Sequence, residues 1–220
     1  MFEQVLNFFL TSEEVRKFGW NISTFWVIGV NIFTIVEWWG LRKQNKKIWK
    51  ERSGESLSVT LFTFLLFATW AFIFYGIAIK SASSVINGLV LGIMYMPTVT
   101  GIWKFKQWST REKIQFWIFT SMVPAMAFFP WYNEMFLIIS VGIMIATGTM
   151  LWELRKVGKT GVLDIYLLGA YLASTVFWVG YAFSIEQWVL EILAIVNVIL
   201  LCITTWVWCQ YYRKEKRARA

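Results

Sequence analysis

The stretch RSGESLS (52–58), followed by LFATWAFIFYG (66–76), decides the fold because a similar series returns later in the chain. The second series is GKTGVLD (158–164), followed by YLASTVFWVGYA (171–182). Each series comes after a basic stretch, and each is followed by an apolar segment that contains an asparagine. An ordered series of matches of this kind indicates an internal repeat.

The aromatic and polar side chains of the two copies keep the same spacing. When Tyr75 is aligned with Tyr181, two further pairs coincide, and the asparagines of the following segments take comparable places. The two coinciding pairs are Thr69 with Thr175 and Phe72 with Trp178. The asparagines are Asn87 and Asn197, and the second copy has extra residues in the turn before Asn197.

Composition indicates a membrane protein that lacks common catalytic residues and motifs. Of the 220 residues, 58% are hydrophobic and 15% are charged, whereas a soluble domain is about one quarter charged. The sequence has no histidine, which excludes histidine-based catalysis and imidazole metal sites. It also lacks zinc-ligand spacing, a phosphate-binding glycine loop and a nucleophile motif. We therefore expect no enzyme activity, no cofactor and no bound metal.

Hydropathy predicts seven membrane-spanning helices, since one crossing takes about 20 residues. The predicted spans are 22–41, 57–79, 83–103, 114–132, 134–154, 162–183 and 187–211. Before the first span, apolar residues recur at helical spacing among polar ones, which predicts a short amphipathic helix on the membrane surface.

Basic residues predict the orientation of these spans. Eighteen of the 21 lysines and arginines follow spans one, three, five and seven. Because basic loops stay on the cytoplasmic side, the N-terminus is predicted outside and the C-terminus inside. The net charge of +8 follows from this topology, and we expect no nucleic-acid partner.

The repeat and the orientation together predict a 3+1+3 architecture. A three-helix unit ends on the opposite side of the membrane from its start, so one linker helix is needed to keep two copies parallel. The fold class predicted is an all-α membrane protein with seven transmembrane helices. Its regions are an amphipathic segment (1–20), a first repeat (21–110), a linker helix (111–133), a second repeat (134–212) and a basic cytoplasmic tail (213–220).

This layout and the segment KQNKKIWKERSGESLS (43–58) resemble the SWEET and PQ-loop transporters of the MtN3/saliva superfamily. Lys43 stands where the family signature has proline, and Trp178 and Tyr181 resemble its Trp-x-x-Tyr pattern. The resemblance covers about residues 22–211. The signature positions kept are Gln44, Arg52, Ser53, Leu57 and Ser58.

The resemblance implies a transporter that moves a small polar solute, sugar-like or nucleoside- or vitamin-like, by alternating access through a pocket between the repeats. The residues it assigns to the solute are Asn87, Asn197, Phe72, Trp178, Tyr75 and Tyr181. An amide within hydrocarbon must find partners, so contacts between helices explain the two asparagines as well. Aromatic side chains in membrane helices likewise serve packing or a headgroup belt.

Four further residues are candidates for gating or ion coupling: Gln44, Ser53, Glu37 and Glu153. Acidic side chains inside a membrane are costly and are functional candidates for that reason. Glu37 and Glu153 hold comparable places in spans one and five. The alternative for both is pairing with loop lysines or arginines at the membrane interface.

Prolines in the four pocket-lining helices are a feature of SWEET-type transporters that this chain lacks. Its prolines, Pro97, Pro124 and Pro130, leave spans one, two, five and six without one. Glycine also marks helix kinks, so we expect glycines to supply the bending. The candidates are Gly29, Gly142, Gly148, Gly169 and Gly180.

Two other functions stay open, because fold alone does not imply function. One is a non-transporting receptor or partner subunit with a PQ-loop-like fold, and the other is a lipid-handling protein. For the transporter we expect a multi-pass protein of the plasma membrane. Its expected partners are membrane lipids and the solute, with a homo-oligomer as a further option.

Overall fold

The computed structural model describes residues 2–128 and 131–219, and all regular structure within these ranges is helical. The predicted break at 129–134 lies partly outside the described residues, and Pro130 lies wholly outside them. The helices are α1 (Phe2–Leu10), α2 (Glu13–Arg16), α3 (Ile22–Glu51), α4 (Val59–Ala78), α5 (Ala82–Phe105), α6 (Thr110–Phe128), α7 (Tyr132–Val157), α8 (Ile165–Ser184) and α9 (Trp188–Arg219).

Six of these helices, α3, α4, α5, α7, α8 and α9, are long and apolar enough to cross a membrane. The chain is therefore an integral, multi-pass, all-α membrane protein. The predicted fourth span corresponds to α6, which is not among the six. The first turns of this 19-residue helix carry Arg111, Glu112 and Lys113, so its uninterrupted apolar part is shorter than one membrane crossing.

The basic stretch after the first span is helical, although the sequence suggested a loop. α3 continues without a break through residues 42–50 and ends at Glu51, where Arg52 takes a left-handed conformation. Lysine, arginine and glutamine are good helix formers. Thirty residues of helix are about 45 Å long, so α3 extends beyond a hydrocarbon core of about 30 Å.

The helices pack as two similar groups, α3–α5 and α7–α9. In each group the third helix contacts both of the others, since α5 packs on α3 and α4 while α9 packs on α7 and α8. The groups meet where α3 contacts α8 and where α4 contacts α7. α6 lies against α4.

The second helix of each group begins at a capping residue in the same register. The Ser58 hydroxyl accepts a hydrogen bond from the Leu61 N–H at 3.0 Å at the start of α4. The Asp164 carboxylate accepts one from the Tyr166 N–H at 2.8 Å at the start of α8. Such caps satisfy backbone donors that a helix leaves free.

Glycines let α3 and α8 approach each other closely. A Cβ atom on Gly29 of α3 would overlap the ring of Phe177 on α8. A Cβ atom on Gly180 of α8 would overlap the ring of Trp26 on α3. The arrangement is reciprocal, because each helix offers a glycine to an aromatic ring of the other. These two glycines therefore have a packing role.

The other glycines expected to bend helices divide into two kinds. Gly142 of α7 packs against the ring of Phe64 from α4, so the second contact between the groups also places an aromatic ring at a glycine. Gly148 and Gly169 are different, since a Cβ atom on either would meet nothing within 4 Å.

Candidate functional site

A cavity of about 140 Å³ lies between the two groups of helices. Four of the predicted binding residues line it, namely Phe72, Asn87, Trp178 and Asn197. Most other side chains around it are aliphatic. A concave, mainly apolar site with a few polar groups is typical of small-molecule binding.

The two asparagines make matching contacts within their own groups. Asn87 Nδ2 on α5 donates to Thr34 Oγ1 on α3 at 2.9 Å. Thr147 Oγ1 on α7 donates to Asn197 Oδ1 on α9 at 2.8 Å. Asn87 Oδ1 accepts no hydrogen bond from any residue in the described ranges, so it retains an acceptor beside the cavity. The asparagines therefore join helices and line the cavity together.

Phe72 and Trp178 meet across the boundary between the groups. Their ring centroids are 5.8 Å apart with an interplanar angle of 75°. This edge-to-face arrangement is favoured by the ring quadrupoles. It places an aromatic pair at one side of the cavity, one ring from α4 and one from α8.

A second pair of aromatic residues, Tyr95 of α5 and Tyr171 of α8, lines another part of the cavity. Their hydroxyl oxygens are 2.6 Å apart. Tyr171 precedes Trp178 by seven residues, which is about 10 Å along α8. Glu37 of α3, 7% exposed, lines the cavity near the two tyrosines.

Tyr75 and Tyr181, also predicted to bind the solute, do not line the cavity. They form the next layer toward the end of the bundle that carries α2. Tyr75 stacks on Phe136 of α7 with centroids 3.9 Å apart, and its hydroxyl donates to Gln187 Oε1 at 3.2 Å. Tyr181 lies 2.8 Å from the Ser81 hydroxyl, measured between oxygens. Both tyrosines thus connect one group of helices to the other.

Glu14 of α2 docks into this layer. Its carboxylate accepts hydrogen bonds from the Tyr181 hydroxyl at 2.7 Å and the Ser81 hydroxyl at 2.9 Å. It also accepts the N–H groups of Ala82 and Ser83 at the start of α5, both at 3.0 Å. Burial opposes ionisation of the carboxyl, but these hydrogen bonds outweigh it and hold the pKa of Glu14 below its usual range.

Gln44 connects the groups at the opposite end of the bundle. Its Nε2 donates to the Val162 carbonyl at 3.0 Å, and its Oε1 accepts the Asp164 N–H at 3.0 Å. The side chain is completely buried. The amide therefore joins α3 to the segment that enters α8, with both of its ends occupied.

The remaining two gating candidates lie away from the cavity. The Ser53 hydroxyl accepts the Glu55 N–H at 3.1 Å within its own loop. Glu153 pairs with Lys106, with Nζ and Oε2 3.3 Å apart and both side chains about one fifth exposed. Glu153 thus has the interfacial partner that the sequence left as its alternative. Glu37, its expected counterpart, has no such partner among the described residues.

A comparison with solved structures finds a similar fold in a eukaryotic SWEET transporter. The TM-score is 0.58, and the match covers 87% of this chain and 97% of the transporter chain at 12% sequence identity. The chain has the SWEET fold. No protein-family model and no curated protein sequence matches it. The likeness is therefore one of fold, and the resemblance stated from the repeat and the loop signature is confirmed at that level.

Within this SWEET fold, several site residues were not singled out by the sequence. Thr34 and Thr147 were missed, although each lies in the first helix of its group at the place that meets the asparagine. Comparing the two copies at that depth would have found them. Tyr95 and Tyr171 have no such signal, because they belong to different helices of the two groups.

Proposed function

We propose that the protein is a transporter that moves a small polar solute through the central cavity by alternating access. The observation that carries this proposal is the cavity itself. It lies between two similar helix groups and is lined by paired amides and paired aromatic rings from both of them. Binding sites at repeat interfaces near mid-depth are typical of secondary transporters. The SWEET fold supports the same function.

The proposed topology has seven crossings, with α6 as the linker between parallel repeats α3–α5 and α7–α9. The N-terminus lies outside and the basic tail lies in the cytoplasm. The distribution of lysine and arginine supports this orientation. We place the protein in the plasma membrane.

In the proposed cycle the two groups rock against each other about the cavity. The layer near α2 faces outward in this topology. It opens when Tyr181 and Tyr75 separate from the partners that they contact across the boundary between the groups. The inner layer opens when Gln44 leaves the segment before α8 and Tyr95 leaves Tyr171. Opening one layer at a time gives the cavity access to one side at a time.

Uptake into proteoliposomes from a pooled metabolite mixture, read by mass spectrometry, tests the proposal. The parent protein is compared with Asn197→Ala, which removes a cavity amide, and with Asn31→Ala as a matched control. Asn31 is also an intramembrane amide, but it bonds to Val27 and Ser83 and does not line the cavity.

The expected result is a solute that the parent and Asn31→Ala enrich and that Asn197→Ala does not. This result also gives the class of the substrate. A correctly folded parent that enriches no sugar, nucleoside, amino acid or vitamin contradicts transport. It favours a non-transporting receptor or partner subunit with the same fold.

A further inference from the structure

Glu37 is an acidic residue of the cavity that has no basic partner in the described part of the chain. The residue is only 7% exposed, and it lines the cavity. Across residues 2–128 and 131–219, no lysine or arginine nitrogen lies within 4.0 Å of its carboxyl. A buried carboxylate is costly unless it is paired.

The groups that face Glu37 from the helices packed on α3 are neutral. α5 contributes Tyr95, and α8 contributes Tyr171 and Ser174. The two tyrosine hydroxyls bond to each other. Ser174 Oγ lies beside the carboxyl yet has no well-formed hydrogen bond to any described residue. None of the described residues that line the cavity is a lysine or an arginine.

Two aromatic rings line the same cavity as this carboxyl. Trp178 follows Ser174 by four residues, which places it about 6 Å further along α8. Phe72 meets Trp178 there, and both rings line the cavity. Cations bind over aromatic faces within about 6 Å of the ring centroid, and quaternary ammonium groups are recognised in this way.

From these contacts we infer that the cavity binds a small organic cation, with Glu37 as the residue that pairs with its positive charge. This inference rests on the proposed function, because it names the class of solute for the same cavity. Trp178 and Phe72 contact the apolar part of the cation, and Asn87 Oδ1 accepts a hydrogen bond from a polar substituent. A neutral solute in this place would supply no positive charge to pair with the Glu37 carboxyl.

Size selects a suitable probe. A cavity of about 150 Å³ accommodates a ligand of the size of benzene, and this cavity is about 140 Å³. Choline has a similar number of heavy atoms. Its neutral isostere, 3,3-dimethylbutan-1-ol, has carbon in place of the charged nitrogen and the same shape, so the pair isolates the effect of charge.

The experiment measures binding of the two probes to the purified protein by calorimetry. The variant is Glu37→Gln, which keeps the shape of the side chain and removes its charge. The matched control is Glu153→Gln, since Glu153 is a helix carboxylate outside the cavity that pairs with Lys106. We expect the parent and Glu153→Gln to bind choline about tenfold or more tightly than the isostere, a difference of about 1.4 kcal/mol. We expect Glu37→Gln to lose this preference.

Equal or weaker binding of choline by the parent overturns the inference, and this result does not depend on any variant folding. A preference that survives in folded Glu37→Gln overturns it as well. Enrichment of neutral solutes in the uptake assay, without a preference for choline, leaves transport standing and removes the cation assignment. Charge-dependent binding at Glu37 without uptake of any solute supports the cation site and removes transport.

Discussion

The Tyr181 hydroxyl donates a hydrogen bond to the Glu14 carboxylate at 2.7 Å, and this bond joins the short helix α2 to α8. The same carboxylate accepts the N–H groups of Ala82 and Ser83, which open α5. An anion is stabilised at the N-terminus of a helix by free donors and by the helix dipole. One carboxylate therefore holds together three elements from different parts of the chain.

Replacing Glu14 by Gln is expected to destabilise the protein by about 1–3 kcal/mol, because an amide accepts fewer of the four hydrogen bonds and leaves buried donors unpaired. Thermal unfolding of the purified protein measures the loss, and hydrogen exchange of residues 2–17 locates it. The control is Glu13→Gln, since the Glu13 carboxylate pairs, within the described ranges, only with exposed Arg16 and Lys17. Such surface pairs contribute little. Equal losses in the two variants contradict this assignment.

The stabilisation by Glu14 is expected to depend on pH in one direction. Since the folded-state pKa of Glu14 lies below the ordinary value of 4.5, its contribution is fully present above about pH 4.5. It is lost as the pH falls through the lowered folded-state value. The melting-temperature difference between parent and Glu14→Gln should be constant from about pH 7 down to about pH 5 and shrink below that. A difference that grows on acidification argues against an ionised Glu14 in the folded protein.

The spans and the central asparagines could be predicted from the sequence because both are local patterns that occur twice. Hydropathy located α4, α5, α7 and α8, and the repeat placed Asn87 and Asn197 at the same depth. The sequence did not predict that Tyr181 lies outside the cavity. It lies three residues, about 4.5 Å, beyond Trp178 along α8, and this step takes it from the cavity to the next layer.

Contacts between residues far apart in the chain could not be predicted from the sequence, for a different reason. The amphipathic pattern of residues 1–20 shows which residues are polar, but it does not show which distant groups they meet. Glu14 contacts Tyr181 across 167 positions of the chain. Likewise, pairing of Glu153 with Lys106 and the lack of a basic partner for Glu37 depend on how helices turn against each other. Sequence spacing alone treated the two acids as equivalent.

Replacing Gln44 by Glu is expected to cost about 1–3 kcal/mol of unfolding free energy. A carboxylate has no donor for the Val162 carbonyl, and it places negative charge against that oxygen in a fully buried position. Denaturation of purified protein measures the cost. Gln107→Glu is the control, because Gln107 is an exposed glutamine near the same end of the bundle. A Gln44→Glu protein as stable as this control contradicts the assigned role of the amide.

Alanine at Gly180 is expected to destabilise the protein by about 1–3 kcal/mol, the usual cost of overpacking, because its Cβ overlaps the ring of Trp26. Gly169→Ala provides the opposite case within the same helix. Nothing lies within 4 Å of its added Cβ, so alanine should stabilise α8 by up to about 1 kcal/mol. Thermal unfolding of the two variants should shift in opposite directions, and a neutral Gly180→Ala would show that the ring moves aside freely.

The reciprocal contact between α3 and α8 also restricts how these two helices can move. The ring of Phe177 occupies the space left by the missing side chain of Gly29, and the ring of Trp26 occupies the space left at Gly180. Two rings packed in this way oppose sliding in either direction along the helix axes. Movement in either direction pushes one of the rings against the side chains that flank the opposing glycine. A small rotation about the line between the two contacts displaces neither ring far. In the proposed cycle, the contact between α3 and α8 therefore serves as a pivot, because the two helices can rotate against each other there but cannot slide along their axes.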